Sequence, residues 1–138
     1  MRAPIALLTL LALFLPAALS AQEADALAQY KWLNRPLVVF ADSPNDPRFK
    51  RQMELLEDDP GALEERDVVV LTDTDPAARG PLREALRPRD FMLVLVGKDG
   101  RVALRKPSPW SVRELSRAID KIPLRQEEII ERRESGGQ

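Results

Sequence analysis

Three short, unbroken apolar runs punctuate the chain, and charged segments with helical spacing separate them. Leu37-Val38-Val39-Phe40-Ala41 is the first, the apolar residues of Asp67-Val68-Val69-Val70-Leu71 the second, and Phe91-Met92-Leu93-Val94-Leu95-Val96 the third. Each is too short for a helix and rich in β-branched residues, which predicts strands buried on both faces. Asp46-Pro47 opens a helix between the first two, with Asp as N-cap and Pro at the first helical position. Phe49, Met53 and Leu56 form its inner face, and Pro60-Gly61 stops it. This strand-helix-strand order predicts a parallel pair joined by a right-handed crossover. Thr72 to Gly80 reads as a loop. A short helix carrying Leu82 and Leu86 follows, opened by Pro81 and closed by Pro88. Lys98-Asp99-Gly100 turns the third strand into a hairpin, and Val102 and Leu104 alternate with Arg101, Ala103 and Arg105 as in an edge strand with one wet face. Ser111 to Glu114 forms a capping box ahead of the apolar stripe Val112, Leu115, Ile119 and Ile122. Pro123 interrupts, and a charged helix continues from Leu124 to Glu134.

The resulting order, β-α-β-α-β-β-α, is the minimal thioredoxin core. It predicts an α/β, three-layer fold with a four-stranded mixed sheet flanked by helices and the first strand between the second and third. One domain is expected over residues 22–134, with the polar, alanine-rich residues 22 to 30 as a short helix or lead-in, and residues 135–138 are expected to be a disordered tail.

The N-terminus reads as processing signal rather than fold. Arg2 supplies a positive start, Ile5 to Leu15 an apolar stretch, and Ala17-Ala18-Leu19-Ser20-Ala21 a small-residue cleavage region. The apolar stretch holds about 11 residues, against about 20 for a spanning helix. Residues 1–21 are therefore expected to be a cleavable signal peptide, leaving no stable membrane anchor and a periplasmic or secreted protein.

Composition then narrows the chemistry. The chain has no cysteine and no histidine. Disulfides, thiolate chemistry, histidine-based nucleophile systems and the commonest zinc and copper ligand are all excluded. The net charge of −1 conceals an asymmetry: residues 42–75 carry eleven acids and four bases, whereas residues 76–125 carry twelve bases and five acids. No basic run is interleaved with aromatics, which argues against nucleic acid. Two oppositely charged halves suit electrostatic docking to a protein or envelope partner.

Ligands of open α/β sheets bind beyond the carboxyl ends of the strands. Asp42, Ser43 and Asp46 follow the first strand there, and Asp73 and Asp75 follow the second. Converging carboxylates suit a hard cation, so a cation-dependent hydrolase using Asp42, Asp73 and Asp75 is the alternative to a non-catalytic binding or structural module. Asp73-x-Asp75 after an apolar strand also looks like the start of a haloacid-dehalogenase motif, but Ala77 departs from it and the rest of the chain is too short for the remaining catalytic motifs. Arg83, Arg87 and Arg89 are candidates for a basic docking face. Arg105 and Lys106 precede a helix start and suit an anion. Trp110 is expected over the core and Trp32 is a candidate recognition aromatic. No residue set assigns a resident metal or cofactor.

Four segments together resemble one family: Trp32-Leu33-Asn34-Arg35-Pro36-Leu37-Val38-Val39-Phe40-Ala41, Arg66-Asp67-Val68-Val69-Val70, Leu95-Val96-Gly97-Lys98-Asp99-Gly100 and Ile122-Pro123-Leu124-Arg125-Gln126. They are similar to Domain of Unknown Function 4174 over about residues 28–130. That resemblance implies a thioredoxin- or peroxiredoxin-like fold and a secretory setting, in bacterial exported proteins and in animal secreted matrix proteins with sushi repeats. It carries over no catalytic residues.

Overall fold

Four strands form one sheet: β1 (Arg35–Phe40), β2 (Val68–Asp73), β3 (Met92–Val96) and β4 (Val102–Lys106). Their spatial order is β2-β1-β3-β4, with β1 parallel to β2 and antiparallel to β3, and β3 antiparallel to β4. The first strand thus lies between the second and third, as its two-sided apolar sequence requires. The computed structural model describes residues 26–136. The expected signal peptide, the first residues of the lead-in and residues 137–138 of the expected tail lie outside the described residues.

The helices are α1 (Pro47–Glu57), α2 (Pro60–Glu65), α3 (Pro81–Leu86), α4 (Val112–Asp120) and α5 (Pro123–Ser135), with a 3₁₀ turn at Pro76–Ala78. Leu37, Val39, Leu93 and Leu95 point to one face of the sheet, where Leu56 of α1, Leu63 of α2 and Leu115 and Ile119 of α4 bury them. Val38, Phe40, Val94 and Val96 point to the other face, where α3 covers them with Leu82 and Leu86. The alternation follows from the period of two along a strand. Apolar residues on both sides of β1 and β3 are thereby shielded, giving three layers.

Three expectations are corrected. The second strand is only half-buried, because the sheet order leaves β2 at an edge. Pro60 starts a helix as well as following one: α1 ends at Glu57, and Asp59 caps α2 by accepting from the Ala62 amide at 3.0 Å. On α1, Phe49 and Met53 are partly buried, while the fully buried residue is Gln52. Its amide receives from the Trp110 N–H and donates to the Trp110 carbonyl, both at 2.8 Å, and so stitches α1 to the segment before α4. The Ser111–Glu114 capping box forms as the sequence predicts.

Candidate functional site

At the carboxyl ends of β1 and β2 the expected acids are present, and Asp46, Asp73 and Asp75 are engaged in local structure. Asp46 caps α1, accepting from the Arg48 amide at 2.8 Å and from the Arg48 guanidinium at 2.9 Å. Those hydrogen bonds hold its carboxyl below the usual carboxylate range, and Arg48, bonded also to Asp90, is held further toward its charged form. Ser43 Oγ accepts from the Asn45 amide, and Asp75 Oδ1 from the Ala78 amide, the usual work of such side chains in turns. Asp73 is taken by Arg83, whose Nη2 lies 3.2 Å from Asp73 Oδ1 and also donates to the carbonyls of Ala41 and Asp73. Asp42 is exposed. Among the described residues no group of three acids is placed to hold a metal ion.

The expected basic face divides in the same way. Arg83 is 11% exposed and lies 5.4 Å above the Phe40 ring, so it belongs to the interior of this pole. Arg87 and Arg89 are exposed on the loop after α3. Arg105 is exposed on β4, whereas Lys106 sits 4.6 Å over the ring of Trp110, which itself packs on the core.

The opposite end of the sheet holds a site that sequence reasoning missed. Arg35 at the start of β1 is fully buried and forms a two-pronged bond to Glu128 of α5, at 3.1 and 3.3 Å. Lys98 of the hairpin reaches Glu128 at 2.7 Å and Asp67 at 2.8 Å. Arg125, also buried, contacts Glu128, Asp120 and Glu65, and Arg66 forms a fork with Asp120 at 2.8 and 3.0 Å. Burial pushes the Glu128 carboxyl up, but hydrogen bonds from Lys98 and Arg35 outweigh it and hold the group down at about 2. The Asp120 carboxyl is likewise lowered, chiefly by its bond from Arg66. The signal was visible as charges flanking apolar strands, but nothing in a linear pattern says that four distant segments meet. The segments that carry the family resemblance supply Arg35, Arg66, Asp67, Lys98 and Arg125 to this one network.

Beside the network lies a recess of about 510 Å³ bordered by Trp32, Val102, Ile122 and Leu124. Trp32 is 62% exposed and has φ 66°, a left-handed conformation that is an outlier for a bulky residue. Its amide, donating to the Lys98 carbonyl at 2.7 Å, ties it to the hairpin. A second groove, about 500 Å³, runs along β2 between α1 and α2.

The profile of the family described as Domain of unknown function (DUF4174) matches residues 26–128. The chain belongs to this family. Among solved structures, this DUF4174 domain is similar to the reduced 2-Cys peroxiredoxin of Plasmodium vivax, at a TM-score of 0.58 and 16% identity, over 73% of this chain and 84% of that one. It is also matched by StoA of Bacillus subtilis, at a TM-score of 0.40 and 11% identity, over 62% and 81% of the two chains. No curated protein matches the sequence. The peroxiredoxin likeness shows the fold alone: a thioredoxin-like α/β domain, here with no cysteine in the chain.

Proposed function

We propose that the chain is an exported, non-catalytic binding module that acts through a protein or other component of the periplasm or cell envelope. The observation that carries this reading is the pairing of Asp73 with Arg83. At the pole where this fold places its chemistry, the largely buried Asp73 is neutralised by Arg83, itself only 11% exposed, while Asp46 serves a helix cap and Asp75 a turn. The chain offers no thiol and no imidazole to replace them. The residues reading as a cleavable leader support export.

Affinity capture from a periplasm and envelope fraction tests the binding half, with capture expected to retain one defined component. A hydrolase panel run with magnesium or calcium tests the other half and is expected to show no turnover above buffer. Cation-dependent turnover that disappears when Asp42, Asp73 and Asp75 are changed to Asn would instead establish the hydrolase.

A further inference from the structure

The two edges of the sheet are not alike. β4 is guarded as edge strands usually are: its pairing is irregular at Leu95/Val96, and it carries Arg105 and Lys106. β2 is unguarded. Its sequence, Val68-Val69-Val70-Leu71-Thr72-Asp73, has no lysine, no proline and a regular register with β1 along all six residues. A straight, apolar edge of that kind is a template for another strand.

The register also says which groups are free. Arg35 donates to the Asp67 carbonyl and Ala41 to the Asp73 carbonyl. In a parallel ladder alternate residues face the partner, so positions 67, 69, 71 and 73 face β1 and the backbone groups of Val68, Val70 and Thr72 face outward. Among the described residues no other backbone bond outside the ladder engages Val68 to Thr72. On one side of this edge lies the groove between α1 and α2, floored by Met53, Leu56, Leu63, Val68 and Val70. Its charged border is acidic throughout, with exposed Glu57 and Glu64 beside Asp67.

We propose that the outer side of β2 is a strand-addition site for an extended peptide with alternating apolar side chains and a basic flank. This rests on the binding reading above and names its partner class. Backbone bonds to Val68, Val70 and Thr72 supply affinity, and every second side chain of the peptide enters the apolar groove. Glu57 and Glu64 select the basic flank. A second copy offering its own β4 is the competing occupant, since that strand is basic; its irregular register makes it a poor match to a straight edge.

Panning a random heptamer display library on the exported protein tests this. Enriched sequences are expected to alternate apolar and polar residues with Lys or Arg at one end. Synthetic copies should bind at least tenfold more weakly to Thr72→Pro, which removes one outward N–H and no ladder bond. The same loss is expected for the Glu57→Lys/Glu64→Lys double variant, which alters only exposed helix positions and keeps the test valid should the proline variant not fold. Far-UV circular dichroism and the denaturation midpoint should stay unchanged. Enriched peptides whose affinity both variants leave intact would place binding elsewhere, overturning this site but not the binding reading. Self-association abolished by Thr72→Pro would make the occupant a second copy. Failure to enrich any peptide would overturn the peptide partner, with envelope capture still deciding the broader reading.

Discussion

Asp73 and Arg83 are bonded to each other, Oδ1 to Nη2 at 3.2 Å, although they belong to oppositely charged halves of the sequence. The pair closes the loop between β2 and α3 over the end of β1, where Arg83 also holds the Ala41 carbonyl. The pair gives Asp73 a structural role at this end of the sheet. The charge asymmetry of the chain is partly consumed inside the fold.

Arg83→Glu should therefore place two carboxylates together in a largely desolvated pocket and lower the urea midpoint, with a loss on the order of 3 kcal/mol. Arg87→Glu and Arg89→Glu, at exposed positions, should change stability by less than about 0.5 kcal/mol. The sequence alone would treat all three as one face whose reversal leaves folding intact; equal midpoints for the three variants would restore that view.

The Glu128 network makes stability depend on acid. The folded carboxyl sits at about 2, below its ordinary value of 4.5, so its stabilisation is complete above that ordinary value and is lost as pH falls toward 2. Denaturation midpoints measured from pH 6 to pH 2 should fall through this window. Glu128→Gln should flatten that fall and cost on the order of 3 kcal/mol at neutral pH, because it removes the carboxylate shared by buried Arg35 and Arg125. A wild-type profile flat across the window would contradict the pairing.

Gln52 provides a separate test of the interior. Gln52→Ala leaves the Trp110 N–H and carbonyl without their partner and opens space in α1's buried face. The expected loss is about 2–3 kcal/mol, accompanied by a shift in tryptophan fluorescence. A change confined to a few tenths of that would mean the stitch contributes no net stability.

Much of the fold was legible because its signals are local. The doubly apolar runs gave β1 and β3, Asp46-Pro47 and Ser111 to Glu114 gave two helix starts, and Asp99-Gly100 gave the hairpin, where Gly100 takes φ 81°. The half-buried state of β2 was not legible from its own residues, since Val68 to Leu71 read the same whether the strand is central or at an edge; only the sheet order distinguishes the two. Gln52 was illegible because a polar residue at a helix position ordinarily faces water, and its partners are main-chain groups 58 residues away. The Arg35 and Glu128 pairing spans 93 residues and leaves no periodic trace. At the candidate site the capping role of Asp46 was anticipated; the capture of Asp73 by Arg83 was not, because side-chain pairing across a loop depends on where α3 crosses the sheet.

The claim at the centre of this account is that the domain works by contact along β2 rather than by chemistry at the strand ends. Site-specific photo-crosslinking in the producing cell tests it most directly, with benzoylphenylalanine placed in turn at Thr72 on the β2 edge, Asp42 at the strand ends and Arg101 beside the Trp32 recess. The account predicts one defined adduct from Thr72 and none of comparable yield from Asp42 or Arg101. Adducts arising only from Asp42 or Arg101, with Thr72 silent, would contradict it.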